Sequence, residues 1–347
     1  MGVRLAEGMR IQPIAIADRP GPTGARRPED DLVAGLYAAH TAASTDVPGP
    51  ELSLARFRRD VCAHAPSARA EAWALVDGDG DGDGKVAGGY ALSLPQSDNR
   101  HMGSIFPLAV RPEHRGRGLG SMLFGHALDR MRAHGRSLLL TVTPVAGTGT
   151  RFARAHGMTV ALAEARRVLD LRDADWAALR AMYPPVEGYS LESWVGPATP
   201  ELLPDLSAVK AGMNDAPRDS GVGAIDYGID LVRAYEERIP YADETCYTTI
   251  ARRDRDGAPA GYTRIFVPTD RAGGWAEQGD TAVLSEHRGH RLGLALKLAN
   301  LFLMRANEPA IDRVITWNAT SNAHMVAINE AMGFVLFDEW TGWRLSL

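Results

Sequence analysis

Two short stretches of the chain carry glycine and arginine at spacings that suit anion binding. They are residues 110–120 and residues 283–293, and they align without a gap. His114 and His287 lie 173 residues apart, about half the length of the 347-residue chain. A glycine-rich turn from a strand into a helix exposes backbone N–H groups at the positive end of the helix dipole. Such a turn can bind a pyrophosphate, and a neighbouring arginine adds charge and paired donors.

The elements around both stretches are predicted to be the same. A strand-type run precedes each turn, at residues 104–110 and 281–284, and a helix-type run follows, at residues 119–133 and 292–306. Each half reads β-α-α-β-β-β-α-β-α-β. A single glycine-rich turn is often only a turn, but two at matched positions favour a function. A repeat at half the chain length predicts a duplicated domain.

The spacing excludes two other phosphate-binding motifs and indicates a third. No Lys-Ser or Lys-Thr pair follows either turn, and no acidic residue closes a second strand as a dinucleotide site requires. The pattern Arg115-x-x-Gly118-x-Gly120 resembles the pyrophosphate loop of the GCN5-related N-acetyltransferases, the GNAT family. The resemblance covers both halves and is greatest to tandem members of the mycothiol synthase type. Some tandem members belong to antibiotic gene clusters, such as that for clavulanic acid, and we expect such a context here.

The resemblance implies a fold and a co-substrate. The expected fold class is α/β (α+β in some schemes), with two tandem GNAT domains at residues 1–183 and 184–347. Each would be a mixed, splayed sheet flanked by helices, with acetyl-CoA or another acyl-CoA bound where two parallel strands part. We expect the N-terminal domain to bind acyl-CoA without catalysis and the C-terminal domain to be catalytic.

The resemblance also assigns the residues that bind acyl-CoA, from each loop and from the strand before it. In the N-terminal half these are Leu108, Ala109, Val110, Arg115, Gly116, Arg117, Gly118, Leu119, Gly120 and Ser121. In the C-terminal half they are Thr281, Ala282, Val283, Arg288, Gly289, His290, Arg291, Leu292, Gly293 and Leu294, followed by Asn318 and Asn322. Gly118 matches the family, whereas Arg291 departs from it. A side chain at that position is tolerated only if the backbone conformation allows one.

The catalytic carboxylate is expected in the C-terminal half. Acyl transfer to a protonated amine needs a base. In many GNAT enzymes this base lies eleven residues before the first arginine of the loop, which corresponds to Glu277 in the C-terminal half and to Ser104 in the N-terminal half. Asp280 is a second candidate, because a bulge in the strand would shift the register. The alternative for Glu277 is an ordinary solvated carboxylate.

The family's general acid is altered in this sequence. The segment 322–334 resembles the element Asn-x-x-Ala-x-x-x-Tyr-x-x-x-Gly-Phe, but Asn329 replaces the tyrosine. An amide can hydrogen-bond sulfur or pantetheine but cannot act as an acid. Water, His290 and His324 are other sources of a proton for the thiolate. In the N-terminal half Ala153 stands at the tyrosine position.

Two acidic stretches have alternative interpretations. Residues 214–230 carry several carboxylates that would suit a cationic acceptor, or that serve as helix caps such as Asp230. Residues 77–84 alternate Asp and Gly like the start of a calcium loop, but position twelve is Gly88 instead of a bidentate Glu. A hairpin tip is the preferred interpretation there, and no metal site is expected.

The bulk composition narrows the class of partner. A net charge of −5 argues against binding to nucleic acid. No apolar run approaches 18 residues, and no apolar leader is visible, so no membrane partner is expected. Cys62 and Cys246 are isolated and predict free thiols in a reducing compartment. We therefore expect a cytoplasmic enzyme.

Together these features predict an N-acetyltransferase. It would move an acetyl group from acetyl-CoA directly to a primary amine of a small molecule, with a carboxylate as general base. Two alternatives remain. Ser104, Ala153 and Asn329 also suit a non-catalytic regulator that binds acyl-CoA, and a family member of this kind could instead acetylate a protein N-terminus or lysine.

Overall fold

The computed structural model describes residues 8–16, 28–62, 66–78 and 85–347. Two compact units divide the chain. The first contains the described residues up to Val142, together with Arg151–Thr159 and Trp343–Leu347. The second contains Thr143–Thr150 and Val160–Gly342. The domain boundary between residues 183 and 184 stays a prediction about the repeat.

The order of elements confirms the predicted duplication. The first half contains β1 (Met9–Ile14), α1 (Pro28–Ala43), α2 (Leu54–Cys62), β2 (Ala68–Asp77), β3 (Lys85–Pro95), β4 (Met102–Val110), α3 (Leu119–Ala133), β5 (Leu138–Pro144), α4 (Thr148–Ala155), β6 (Thr159–Asp170) and α5 (Trp176–Met182). The second half contains β7 (Tyr189–Val195), α6 (Leu203–Lys210), α7 (Ile229–Glu236), β8 (Glu244–Arg253), β9 (Pro259–Pro268), β10 (Trp275–Val283), α8 (Leu292–Asn307), β11 (Arg313–Ala319), α9 (Ala323–Ala331) and β12 (Val335–Ser346). Each half has the predicted β-α-α-β-β-β-α-β-α-β order, and α5 adds the closing helix that was expected before the second half.

In the first unit, strands β1 to β4 form an antiparallel series and β4 pairs with β5 in parallel. The parallel pairing covers Met102–Ser104 against Leu138–Leu140, and beyond it the two strands part in the described chain. Helix α3 packs on one face of this sheet through Leu123, Ala127 and Met131, which are fully buried. Helices α1 and α2 cover the other face.

The second unit repeats this arrangement. Strands β7 to β10 are antiparallel neighbours, and β10 pairs with β11 in parallel over Trp275–Gln278 and Arg313–Thr316. Beyond these residues β10 and β11 part in the described chain. Helices α6 and α7 pack on one face through a cluster that includes Leu206. Helix α8 packs on the other face. Each unit is thus a mixed, splayed sheet flanked by helices, as predicted.

A bulge in β10 changes which face its side chains occupy. Ala276 lies in the core cluster beneath α8, whereas Ala282 lies in the cluster beneath α6. Residues an even number apart on a regular strand share a face. The register shift between Gln278 and Thr281 adds the extra residue that separates them. In consequence Glu277 and Asp280, three residues apart, both point towards the α6 face.

A glycine in each unit lets the strand before the loop approach its neighbour closely. Gly88 on β3 lies opposite Val110, and Gly261 on β9 lies opposite Val283. A Cβ at Gly88 would lie 2.4 Å from the carbonyl oxygen of Ala109, and one at Gly261 would lie 2.6 Å from that of Ala282. Any side chain would force the strands apart, so the 173-residue repeat extends to this packing detail.

Some sequence-based expectations concern other parts of the chain. Residues 79–84 of the Asp-Gly run, and most of the predicted connection at residues 20–28, lie outside the described residues. Asp230 is not a helix cap, because α7 begins at Ile229 after Gly228, and the Asp230 side chain instead pairs with Arg233 at 2.5 Å. Among the described helices, none is long and apolar enough to cross a membrane.

Candidate functional site

The two glycine-rich loops have matching backbones. Gly116 and Gly289 have φ angles of 76° and 86°, and each follows an arginine in extended conformation. The last residue before the helix is left-handed in both, with φ of 78° at Gly118 and 58° at Arg291. Arg291 therefore meets the condition set by the sequence, because it occupies the left-handed region that a non-glycine residue can reach at a cost of about 1–2 kcal/mol.

The helix N-termini behind these loops are open to an anion. Neither the Gly118 nor the Arg291 N-cap makes a side-chain capping bond to its helix. A Cβ at Gly116, Gly118 or Gly289 would meet no described atom within 4 Å. The first N–H groups of an α-helix have no partner within the helix, so they are available here to phosphate oxygens. The observed geometry of both loops fits the pyrophosphate of acyl-CoA.

The first arginine of each loop ties the loop to the strand before it. Arg115 Nε donates to the Val110 carbonyl at 3.2 Å, and Arg288 Nε donates to the Val283 carbonyl at 3.1 Å. The outer nitrogen of Arg115 bonds the Ala43 carbonyl at 3.1 Å, whereas that of Arg288 bonds the Asp215 carboxylate. These two predicted binding residues thus shape the loop in this structure.

The other predicted loop residues divide between surface and core. Arg117, Ser121, His290 and Arg291 are exposed, Gly120 is half-buried, and Leu119, Leu292, Gly293 and Leu294 are buried. The Ser121 hydroxyl lies 2.9 Å from Nε2 of His156, and the His290 ring lies 5.2 Å from the ring of Tyr189. The apolar members fix the first turn of each helix in the core, and the polar members surround the open N-terminus.

The strand residues predicted to contact acyl-CoA lie along the gap where the two parallel strands of each unit part, which we call the notch. Leu108, Ala109 and Val110 pair with β3, and Thr281, Ala282 and Val283 pair with β9. Their other edge faces the gap where β4 leaves β5 and β10 leaves β11. The backbone groups on such an edge need partners. An extended pantetheine chain carries amides that could supply them.

The two candidate carboxylates lie on β10 beside the start of the notch. Glu277 is half-buried and pairs in register with Ile315 of β11, one residue before the parallel pairing ends. Asp280 Oδ2 accepts hydrogen bonds from Lys210 Nζ at 2.9 Å and from the Tyr262 hydroxyl at 2.8 Å. Burial raises the pKa of Asp280, but the charge of Lys210 and these hydrogen bonds outweigh it and leave the pKa below its usual value. Asp280 is therefore held ionised.

Two tyrosines enclose the ammonium group of Lys210. Lys210 is only 7% exposed, and its Nζ lies 5.5 Å from the ring centre of Tyr227 and 5.4 Å from that of Tyr262. Burial, followed by the charge of Asp280, raises the pKa of Tyr227 to about 12. Both tyrosines thus stay neutral donors. Tyr227 lies in residues 214–230, the stretch expected to suit a cationic acceptor, whereas Lys210 and Tyr262 were not predicted as site residues.

The first unit has no carboxylate at the equivalent places. Its β4 has a bulge at the same point of the repeat, between the residues opposite Leu92 and Tyr90. Phe106 and Pro107 occupy that bulge, and Ser104 stands where Glu277 stands in the second unit. At these strand positions, the second unit has carboxylates beside its notch and the first unit has none.

Three asparagines follow the notch in the second unit. Asn329 is fully buried, and its amide donates to Asn318 Oδ1 at 2.8 Å. Its own Oδ1 is buried without a hydrogen-bond partner among the described residues. Asn322 caps α9 by accepting from the Met325 N–H at 3.3 Å, and His324 is exposed. The side chains of Asn318 and Asn329 thus lie together at the end of β11, whereas Asn322 caps a helix.

These two splayed sheets with glycine-rich loops define the class of fold. The GNAT acetyltransferase family model matches residues 40–158 and 218–334, which together exceed half of the chain. The chain belongs to the GNAT family of acetyltransferases.

Solved structures agree with this assignment. A tandem GNAT protein from the clavulanic acid biosynthesis pathway is similar over 97% of this chain and 98% of its own, with 28% identity and a TM-score of 0.77. A GCN5-related N-acetyltransferase from Sphaerobacter thermophilus shares the fold over 99% of this chain and 97% of its own, with 16% identity and a TM-score of 0.61. A fungal glucosamine N-acetyltransferase region also shares it, with 15% identity, a TM-score of 0.64, and coverage of 97% of this chain and 38% of the fungal one. No curated protein sequence matches the chain.

Proposed function

We propose that this protein transfers an acetyl group from acetyl-CoA to a primary amine of a small molecule, and that the reaction occurs in the C-terminal half, residues 184–347. The N-terminal half, residues 1–183, binds acyl-CoA without turnover. One observation supports this division above the others. Both units carry the open loop and the notch, but Glu277 and Asp280 have Ser104 and Phe106-Pro107 as their counterparts in the first unit.

In the proposed reaction the two substrates approach β10 from opposite directions. The thioester of acetyl-CoA lies in the notch between β10 and β11, with its pyrophosphate at the loop 288–294. The amine lies on the face covered by α6, towards which Glu277 and Asp280 point. A backbone N–H of the β10 edge polarises the thioester carbonyl, and preorganised donors of this kind stabilise the oxyanion that forms on attack. The nitrogen attacks directly, without a covalent enzyme intermediate.

Glu277 and Asp280 have different proposed roles. Glu277 removes the proton from the amine, directly or through water. Asp280 is held ionised by Lys210 and Tyr262, so its affinity for a proton is low. A carboxylate in that state is a poor base but a good partner for a substrate ammonium, and its side chain is 40% exposed. Asp280 therefore orients the amine.

The acceptor is proposed to be a small cationic molecule. The similar protein from the clavulanic acid pathway motivates a role in antibiotic biosynthesis. The carboxylates of Asp219 and Asp226 add negative charge to the stretch between α6 and α7. Free Cys62 and Cys246 suit a reducing compartment, which supports a cytoplasmic location.

The test is acetyl transfer from acetyl-CoA to a panel of amines that includes amino sugars, polyamines, amino acids and peptides. Glu277→Gln should lower kcat by roughly 100-fold or more, the scale of general base catalysis, while acetyl-CoA still binds. Ser104→Ala, at the equivalent position of the first unit, is the matched control and should leave kcat unchanged. Equal kcat for wild type and Glu277→Gln would refute Glu277 as the base. Transfer to peptides alone would make a protein the substrate.

A non-catalytic regulator is the second candidate, because the second unit has Asn329 where family members carry an acidic tyrosine. Native mass spectrometry with acetyl-CoA, on wild type and Gly118→Trp, counts the sites. Two bound molecules that fall to one support two acyl-CoA sites. One bound molecule that is lost in the variant would place binding in the first unit alone and favour the regulator.

A further inference from the structure

Helix α8 carries a lysine at the centre of the second unit. Lys297 is 1% exposed, and its Nζ lies 5.5 Å from the ring centre of Phe334. Among the described residues, no hydrogen bond to this ammonium nitrogen is present. A buried lysine without a partner is costly and rare, since moving an unpaired charge out of water carries a large penalty. Its place in the core therefore calls for a chemical reason.

The equivalent residue of the first unit shows what packing alone would select. Phe124 lies 173 positions earlier and is a buried member of the core cluster. Gly120 and Gly293, one turn earlier on the two helices, also correspond. A Cβ on Gly293 would lie 3.3 Å from Ile328 of α9, and one on Gly120 would lie 3.3 Å from Phe152 of α4. The helix face that carries Lys297 thus packs against α9, and the first unit fills this place with an apolar ring.

A chain of contacts connects Lys297 with β11, next to the notch. Phe334, beneath its ammonium group, donates its backbone N–H to the Asn329 carbonyl at 3.0 Å. The Asn329 side chain bonds Asn318 on β11, two residues beyond the point where β10 and β11 part. The Asn329 Oδ1 is itself buried without a hydrogen-bond partner among the described residues. Lys297 thus packs on the ring of the residue whose backbone bonds Asn329, and both polar groups are incompletely paired among the described residues.

We propose that Lys297 is the catalytic acid of the second unit and that, with Asn329, it forms the site for the sulfur of acyl-CoA. This inference rests on the proposed acetyl transfer. When the C–S bond breaks, the sulfur leaves with the electron pair and Lys297 gives it a proton, so CoA departs as a thiol and the lysine is left neutral. An ammonium acceptor loses two protons: Glu277 takes the first before the nitrogen attacks and releases it to solvent, and it takes the second from the nitrogen as the intermediate collapses. Solvent restores the lysine proton after CoA leaves.

The protonation of Lys297 suits this role. Burial lowers the pKa of Lys297 to about 7, and burial is the only cause of this shift. In the core cluster beneath α8, Tyr247 is the titratable residue that a strand contributes. Its hydroxyl donates to Glu308 near the end of α8. On α9, His324 and Glu330 are exposed. None of these groups sets the pKa of Lys297, and an acid is most effective when its pKa lies near the working pH.

The experiment compares Lys297→Met with Phe124→Met, the same substitution at the equivalent place in the first unit. Lys297→Met should lower kcat by about 100-fold, on the scale of general acid catalysis, and abolish the fall of kcat as the pH rises through about 7. Phe124→Met should leave kcat and its pH profile unchanged. Unchanged kcat and pH profile in Lys297→Met, with a raised melting temperature, would make Lys297 a structural residue and overturn the proposal.

A binding measurement separates this inference from the proposed function. Calorimetry gives the affinities of CoA and of acetyl-CoA, which differ in their free thiol. In wild type, the affinity for CoA relative to acetyl-CoA should rise between about pH 6 and about pH 8, because Lys297 loses its proton and the neutral amine then accepts a hydrogen bond from the CoA thiol, which acetyl-CoA lacks. In Lys297→Met the ratio should stay flat. If the wild type transfers no acetyl group but its affinity ratio still rises with pH, the sulfur site is supported and the proposed function is refuted. A flat ratio in both the wild type and Lys297→Met overturns the sulfur site.

Discussion

Lys210 Nζ and the Asp280 carboxylate are 2.9 Å apart, and Tyr262 completes the pairing from β9. The sequence offered Glu277 as the base and Asp280 as a second candidate. The pairing distinguishes them, because a carboxylate that already has an ammonium partner gives up stabilisation when it takes a proton. Asp280 is thus better suited to hold a charge than to accept a proton.

Lys210→Met tests this pairing through stability. It should lower the free energy of unfolding by roughly 1–3 kcal/mol, less than for a fully buried pair because the Asp280 side chain is 40% exposed. The folded-state pKa of Asp280 is depressed, so its contribution is present above the usual Asp pKa and is lost as the pH falls through the folded value. Urea unfolding should show the wild type and Lys210→Met converging in strong acid.

Tyr262→Phe provides the graded control for that prediction. It removes the hydrogen bond that Tyr262 donates to Asp280 and the one that it accepts from Lys210, but it keeps the ion pair, so it should cost roughly 1–2 kcal/mol. A difference between wild type and Lys210→Met that stays constant from neutral to strongly acidic pH would contradict a role for the Asp280 charge.

Gly261 and Gly125 should respond in opposite directions to the same substitution. Gly261→Ala places a Cβ 2.6 Å from the Ala282 carbonyl oxygen, so it should destabilise the protein by about 1–3 kcal/mol through strand displacement. Gly125 lies inside α3 with no described atom within 4 Å of its added Cβ, so Gly125→Ala should stabilise by up to about 1 kcal/mol. Urea midpoints at constant slope measure both. A neutral Gly261→Ala would show that β9 and β10 do not approach as closely as described.

Lys297 should make stability rise with pH. Its folded-state pKa is about 7, well below the ordinary value of 10.5, so the folded protein binds fewer protons than the unfolded chain between these values. In that window the contribution should increase by roughly 1.4 kcal/mol per pH unit, and the penalty should be greatest below pH 7. The measurement is the pH dependence of unfolding in wild type minus that in Lys297→Met. A difference that does not vary with pH would mean that Lys297 stays charged in the folded state.

Trp343 should be one of the costliest side chains to remove. It is 2% exposed and belongs to the core cluster of the first unit, with Leu139 and Met158 among its members. Trp343→Ala should cost about 3–5 kcal/mol, as for other large buried aromatics. Trp317 is 38% exposed, so Trp317→Ala should cost much less. Thermal unfolding of the two variants checks the ranking, and equal losses would contradict the burial of Trp343.

The fold could be predicted from the sequence because the same pattern of motifs and elements occurs in both halves. Matching glycine-rich turns at half-length spacing, with the same element pattern around them, predicted a duplicated domain, and the resemblance to the GNAT family implied a splayed sheet in each copy. The left-handed conformation of Arg291 could be stated only as a condition. It depends on where the Cβ points, and that is decided by the loop backbone.

The chemistry was only partly accessible from the sequence. A strand bulge placed Asp280 on the same face as Glu277, and its exact register depends on pairing with β9. Lys210 and Lys297 belong to no family motif quoted from the sequence. One signal was present, however: the chain contains three lysines against many arginines, and two of the three are buried in the second unit. Lysine can lose its proton when buried, whereas arginine cannot.

The placement of Trp343–Leu347 in the first unit has a consequence for how the chain is made. A ribosome synthesises Trp343 only after the whole stretch from Val160 to Gly342, so the first unit lacks a large core side chain throughout that time. Its hydrophobic interior is completed by residues that follow the second unit in the sequence. The first unit is therefore expected to reach its final stability only after the stretch from Val160 to Gly342 has been synthesised.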